Sequence, residues 1–406
     1  MAATRKPMPT AVVVLPSTTY RAADFVAAAE SLGVGLVVAS EGPPPIDMGD
    51  GYLQIDCTDP ALAAEAIADF GDRVGIDGVV AADDAGVIVA ALTGQMLGLR
   101  SNSPEAAAAT RDKAAQRRAL ESAEVPQPRF AVIGPDDDAD GAAAAISYPL
   151  VIKPVDRAAG QGVMRVDRPE DLAPLLSRLR QIIGPSAPVL MESFMTGVEV
   201  AVEGLVNDGA LTVLAVFDKP DAGDGPFFPE TILVTPSRLP PEVTDECERV
   251  AQVALEAIGI THGPVHIELM VDGAMVRVIE IAARSIGGLC SKSLNFGLMG
   301  TSLETLILRN ALGMDKPELH REPMASGVLM IPIPSQGAFK EIRNTEAVRQ
   351  LQHVTGMDVT VRPGRQVEPP PEGDRYLGFV YARAAGPEDV EKGLLEAKAL
   401  LEVIVE

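Results

Sequence analysis

The sequence predicts a multidomain α/β and α+β protein. An N-terminal open, doubly wound parallel α/β domain leads into a two-part α+β region and then an α+β C-terminal extension. Three observations predict this. The chain has 406 residues, more than one ordinary domain at ~100–200 residues each. Its composition, 47% apolar and 22% charged, is that of a globular protein with ample core. The hydrophobic period alternates between strand and helix over the first hundred residues, then gives way to strand pairs joined by tight turns.

In chain order, "TAVVVLP", "RAADFVAAAESLG" and "VGLVVAS" read as strand, helix and strand, with Gly33 where the helix ends. "DPALAAEAIADFGDRVG", "IDGVVAADD" and "AGVIVAALTGQMLGL" repeat the alternation, so residues 1–110 form the parallel domain. That stretch lacks both GxGxxG and GxxxxGK[ST], which disfavours an ordinary dinucleotide fold or P-loop. Residues 111–190 open with the helix "RDKAAQRRALESAE" before Pro126 and continue through "RFAVI", "YPLVIKPVD", "GVMRVD" and "PEDLAPLLSRLRQII" as a small α+β unit. Residues 191–315 hold "VEVAVEGLV", "ALTVLAVFD", the helix "DECERVAQVALEAIG", a long apolar hairpin and a helix near "SLETLILRNALG". Residues 316–406 supply "ASGVLMIPIP", "MDVTVRP", "LGFVYARA" and a closing helix.

Charge narrows the partners. The net charge of -23 repels a phosphate backbone and an anionic membrane alike, so neither nucleic acid nor membrane is an expected partner. An anionic nucleotide then needs named cations gathered in one cleft. Cys57, Cys247 and Cys290 have no metal-ligand spacing and are too few for a disulfide framework, which fits a reducing cytoplasm. The N-terminus has neither the apolar stretch nor the cleavage site of a signal peptide, and no run approaches the ~18 apolar residues of a membrane span.

Several stretches carry candidate chemistry. "VIKPVDRAAGQGVMRV" sets Lys153 at a strand end before a loop with Gly160 and Gly162. Glycines let backbone N–H groups close over phosphates beside a lysine, although a solvated hairpin has the same pattern. "VLMESFMTGVEVAVEG" carries Glu192 and Glu199 about a turn, as acceptors for a nucleotide or as exposed strand ends. "HIELMVDGAMVRVIEIAARSIGG" sets Glu268 and Glu280 in apolar runs about Asp272-Gly273. A loop centred on Gly273 brings both carboxylates to one face, whereas a two-residue loop sends them to opposite faces. There they either share a divalent cation or pair with Arg277 and Arg284.

In order, the chain has Lys113 on a helix, Lys153 before a glycine loop, Glu192 and Glu199, Glu268 and Glu280, then Arg284. This succession resembles the ATP-grasp carboxylate–amine ligases over nearly the whole chain. The resemblance implies a two-part ATP-grasp fold, with residues 111–190 as the small lid subdomain and 191–315 as the large one. It implies that Lys113 and Lys153 contact ATP phosphates under a lid around Gly160 and Gly162. Glu192 and the main chain of Ser193 and Phe194 are then expected at the adenine edge, Glu199 at the ribose, and Glu268 and Glu280 on magnesium, or manganese in its stead. One departure stands out: Ala282 occupies a position where many members have asparagine.

The "EIAAR…GG" variant and the last 90 residues are similar to the bacterial L-amino acid ligase branch, which makes dipeptides. The implied reaction activates a carboxylate as an acyl phosphate that an amine attacks, with small-molecule acid and amine substrates, amino acids foremost. Arg284 then stabilises the acyl phosphate and the tetrahedral intermediate, while Gly287 and Gly288 hold the substrate carboxylate. Lys219 is a further phosphate candidate and Glu230 a candidate for a substrate amino group, each equally readable as a surface charge. The resemblance also favours a homodimer. His262, His266, His320 and His353 lack metal-ligand spacing, and Cys290 is not needed by such chemistry. Two alternatives stay open: an ATP-grasp ligase or carboxylase-like enzyme of nucleotide metabolism, and an inactive nucleotide-binding protein.

Overall fold

The computed structural model describes residues 8–16, 19–43, 48–220, 226–228, 231–298, 300–314 and 319–406. Strands β1 (Thr10–Val14), β2 (Gly35–Ser40), β3 (Tyr52–Gln54) and β4 (Gly78–Ala81) form a parallel sheet in the order β3-β2-β1-β4. Ala11, Val12, Val13 and Val14 are all fully buried, as expected of a parallel strand covered by helices on both faces. Alternation still decides where each one goes. Val12 and Val14 join a core with Ala63 and Ile67 of helix 60–74, and Ala11 and Val13 join another with Ala22 and Phe25 of helix 22–32. Gly33 ends that second helix at φ 64, a left-handed cap that glycine adopts without strain.

A second, antiparallel sheet consists of β5 (Phe130–Ile133), β6 (Leu150–Pro154), β7 (Met164–Val166) and β8 (Val189–Ser193), in the order β5-β8-β6-β7. Helices 139–146 and 169–183 close its core around Leu150, Ile152, Met164 and Leu179.

The remaining strands are β9 (Val198–Asn207), β10 (Ala210–Asp218), β11 (Ile232–Thr235), β12 (His262–Asp272), β13 (Met275–Ala282), β14 (Ala325–Ile331), β15 (Gly337–Arg343), β16 (Val354–Val359), β17 (Gln366–Val367), β18 (Gly378–Ala384) and β19 (Glu402–Val405). Eight of them make one sheet, β13-β12-β9-β10-β11-β14-β18-β16, and three make a small one, β17-β15-β19. Strands after residue 315 therefore continue the large sheet: β14 pairs with both β11 and β18. The two faces of β9 feed the cores already built on β1, with Val200 and Val202 in one and Ala201 and Leu205 in the other. Burying both faces this way holds the C-terminal ends of β1 and β4 over the large sheet.

The β12–β13 hairpin departs from expectation. Asp272 pairs with Met275, so the turn has two residues, Gly273 and Ala274, with Gly273 at φ 61. The three-residue loop centred on Gly273 does not form. A regular ladder from this turn would put Glu280 on the face opposite Glu268. Instead Leu269 pairs with Val278 and Glu268 pairs with Glu280, leaving Ile279 as the extra residue of a β-bulge. The carboxylates converge because of the bulge, not the turn.

Helix 113–122 braces that bulge, capped by Asp112, whose side chain accepts from the amides of Ala114 and Ala115. Arg117 donates to the carbonyls of Val278 (3.1 Å) and Ile279 (2.6 Å). Gln116 makes a two-way pair with the main chain of Ile281, at 2.9 and 3.0 Å. Since β13 is an edge strand, the helix satisfies backbone groups that a bulged edge leaves open.

Candidate active site

A cavity of about 590 Å³ is lined from the parallel, the antiparallel and the eight-stranded sheets and the loops at their ends, within the size range of small-molecule sites. Its lining includes Lys113, Lys153, Gly160, Glu192, Ser193, Phe194, Glu199, Glu268, Glu280, Arg284, Gly287 and Gly288. These residues came from separate stretches of sequence, and the fold brings them to one space. Glu230 lies outside the described residues.

Lys153, on β6, is buried, and its ammonium sits 2.7 Å from Glu192 on β8. Burial pushes the lysine pKa down while Glu192 opposes that shift. Glu192 also receives Arg117 at 2.5 Å. Burial alone would favour the neutral acid, but Arg117 and Lys153 outweigh it and hold the carboxyl at about 2. Both carboxylate oxygens are thus engaged by cations. Glu192, expected at an adenine edge, lines the cavity with its two oxygens held in this way by Arg117 and Lys153. The neighbouring main chain is partly engaged as well, the Ser193 amide with Arg129 O (2.9 Å) and the Phe194 amide with Pro149 O (3.1 Å). The Phe194 ring lies beside Phe228 at 6.5 Å and under the Arg165 guanidinium at 4.2 Å.

Arg117→Ala is expected to destabilise the fold by about 3–5 kcal/mol, the usual cost of breaking a buried pair, read from urea denaturation. The acid limb follows from the same pair. Glu192 has a folded pKa of about 2 against an ordinary 4.5. Its contribution is complete above 4.5 and is lost as pH falls through 2. Glu192→Gln should flatten stability across that window.

Across the hairpin, Glu268 meets Lys219 at 2.8 Å and His266 at 3.7 Å, while Glu280 meets Lys113 at 2.9 Å. Lys219 also reaches Glu199 at 2.6 Å. Of the two arginines in the alternative pairing, Arg277 faces Asp272 and Arg284 faces Asp84. His266 hydrogen-bonds the fully buried Glu203 at 3.1 Å. Burial opposes its charged form, yet the two glutamates raise it to about 9. Among the described residues, no group of three or more His, Cys, Asp or Glu is arranged to hold a metal. Two facing carboxylates, with side chains 18% and 26% exposed, nevertheless suit magnesium, which takes one or two carboxylates and completes its shell with waters and phosphates. Ala282 lines the cavity opposite His266 on the adjacent strand and offers no ligand.

Arg284 is gripped by the N-terminal domain. Asp84, just beyond β4, accepts from Arg284 at 3.0 Å and from Arg111 at 3.0 Å. Burial disfavours the Arg284 charge, but Asp84 and Asp83 more than restore it, so it stays firmly protonated. The following segment is pinned too. Arg21 donates to Ser285 Oγ (2.8 Å) and Glu203 accepts from the Ile286 amide (3.0 Å). Gly288 has φ 58, and a Cβ there would meet the Phe379 ring at 2.5 Å, so the position requires glycine on both counts.

The glycine loop is tied to the far end of the chain. Gly160 and Gly162 take φ 71 and 74. The Gly162 amide donates to Pro371 O (2.8 Å), and Gln161 Nε2 donates to Glu372 O (2.8 Å). Arg178 grips the Glu372 carboxylate at 2.6 and 2.9 Å, and Lys113 reaches Arg157 O at 2.5 Å. Glu372→Ala removes a half-exposed pair worth up to about 1 kcal/mol. Amide exchange across 158–163 should quicken about fivefold while the melting temperature holds. Unchanged exchange would mean that the extension does not restrain the loop.

Arg117, Asp84, Glu203 and Arg21 escaped sequence reasoning. Two signals were present: Arg117 lies four residues from Lys113 on one helix face, and Asp83-Asp84 ends a parallel strand, where α/β sites gather.

Residues 146–293 match the ATP-grasp domain, and residues 329–406 match the L-amino acid ligase C-terminal domain 2. Residues 146–293 are thus similar to an ATP-grasp domain. The C-terminal match and the relatives support the L-amino acid ligase branch. Alanine–anticapsin ligase of Bacillus subtilis (strain 168) is 27% identical over 246 residues, 55% of this chain and 51% of that protein. The match thus spans about half the length of that relative. The crystal structure of L-amino acid ligase from Bacillus licheniformis superposes with a TM-score of 0.80 at 25% identity, covering 99% of this chain and 100% of the other. N5-carboxyaminoimidazole ribonucleotide synthetase from Thermotoga maritima shares the fold, with a TM-score of 0.74 at 16% identity over 98% of this chain and 100% of that one. No helix among the described residues is long and apolar enough to cross a membrane.

Proposed function

We propose that this chain is an ATP-dependent carboxylate–amine ligase that joins amino acids. A substrate carboxylate oxygen attacks the γ-phosphorus of ATP and ADP leaves. An amine then attacks the acyl carbon, phosphate departs, and the nitrogen gives up a proton. The observation that carries this reading is the shared cavity. Asp374, Arg375, Tyr376 and Phe379, from the segment matching the ligase C-terminal domain, line the same space as Lys153, Glu280 and Arg284.

In this reading Lys113 and Lys153 bind ATP phosphates beneath the loop of Gly160 and Gly162, and Lys219 assists from beside Glu199 and Glu268. Ser193 and Phe194 border the adenine, and Glu199 holds the ribose. Glu268 and Glu280 would hold magnesium, or manganese, whose bound charge neutralises the phosphates. Arg284 supports the acyl phosphate and tetrahedral intermediate, and Gly287 and Gly288 receive the substrate carboxylate. The work is positional and electrostatic.

The test is phosphate release with MgATP across amino acids, singly and in pairs. Release that needs a pair supports the ligase. No release under any pairing sinks it and leaves a nucleotide-binding protein.

A further inference from the structure

We infer that a second, smaller cavity, behind the segment that carries Arg284, is a site for the smallest zwitterionic amino acids, glycine foremost. The inference goes beyond the ligase reading and does not depend on it. The cavity measures about 40 Å³, room for about three water-sized groups. It is lined from β4, helix 87–97, residues 100–102, the start of β12 and the end of helix 303–311. Ala282 and Arg284 line the main cavity, whereas Ala283 between them lines this one. One segment therefore separates the two.

Two of its lining side chains, His262 and Asn310, are 7% and 8% exposed. Each ends in a buried polar atom, His262 Nε2 and Asn310 Oδ1, that has no hydrogen-bond partner among the described residues. Such atoms are costly to leave unmet. Asn310 Nδ2 already donates to Asn207 Oδ1 (2.9 Å) and Val206 O (3.3 Å), which fixes the free end as an acceptor. Burial, then the Arg100 charge, push the His262 pKa down against Asp208, so the ring is neutral and can offer a lone pair. Asn102 clamps the His262 main chain at both its N–H (2.9 Å) and its carbonyl (2.8 Å), so the site is held in place. Arg100, the charged residue of the lining, is exposed and makes no ion pair among the described residues. A bare anion would meet Arg100 but also two lone pairs, and a bare cation would meet the lone pairs but also Arg100. A small zwitterion satisfies both, its ammonium on His262 and Asn310 and its carboxylate on Arg100. The volume leaves little room for a side chain.

Hydrogen–deuterium exchange of the full chain, titrated with glycine, tests this by position. Glycine should slow amide exchange at residues 100–102 and 262–263 by at least about fivefold, whereas L-leucine, too large for the recess, should leave those positions unchanged. Acetate and methylamine each carry half of the zwitterion, and each should need at least about tenfold more for the same protection, because charge-assisted hydrogen bonds are lost. Arg100→Gln, at an exposed position where folding should persist, should weaken glycine by about tenfold, and Arg100→Lys by less. The inference is overturned if glycine gives no protection there, if leucine protects those residues as well as glycine does, or if Arg100→Gln responds like the native chain. A crystal grown with glycine that shows ordered water only in the recess would overturn it too. Phosphate release from amino acid pairs reports on the ligase reading separately, so either can fail alone.

Discussion

Glu280→Gln is expected to lower the rate of ADP formation by at least about a hundredfold while leaving the thermal unfolding midpoint nearly unchanged. Glutamine keeps the volume of the side chain and removes its charge. In the proposed role that charge binds a divalent ion against Glu268, and positioned electrostatic groups of this kind are commonly worth 10²–10³ in rate. The fold should tolerate the change because Glu280 is partly exposed and its partner Lys113 keeps the Arg157 carbonyl at 2.5 Å. Raising magnesium should restore part of the lost rate if the lesion is in metal affinity. Full activity at ordinary magnesium would end the metal assignment.

Arg284→Ala should reduce kcat by about 10²–10³ with little change in KM for ATP. The guanidinium sits in the cavity with one nitrogen on Asp84 and another on the Ser285 carbonyl at 3.1 Å. Removing it leaves Asp84 paired with Arg111 and Asp83 still accepting from the Asp84 amide at 2.7 Å, so both carboxylates keep a partner and folding should persist. Arg284→Lys keeps a charge but lacks the planar two-point grip, and it should recover only a fraction of the rate. A variant with a raised KM for ATP and an intact kcat would assign the arginine to nucleotide binding instead.

Both residues stood out in the sequence because a glutamate inside an apolar hairpin, and an arginine just after it, conflict with their surroundings. The parallel N-terminal domain was legible for a related reason: buried strands and amphipathic helices have distinct periods. What the sequence could not convey was pairing. Ile279 is as apolar as its neighbours, so nothing in "VRVIEIA" marks it as the bulge that sets Glu280 against Glu268. Likewise the charge on Lys153 gives no hint that Glu192 and Arg117 sit beside it, from other elements. Long-range partners of this sort depend on topology, and the joining of β14, β18 and β16 to the central sheet is of the same kind.

The bond between Gln161 and Glu372 joins residues 211 positions apart. At a synthesis rate of about 5–20 residues per second, the glycine loop emerges roughly 10–40 s before the segment that restrains it. A growing chain that has already made Lys153 and both hairpin glutamates still lacks the wall formed by residues 374–379. The half proposed to hold the nucleotide is therefore made well before the half proposed to hold the substrate, and the order of synthesis itself delays a complete cavity until the extension has paired with the sheet.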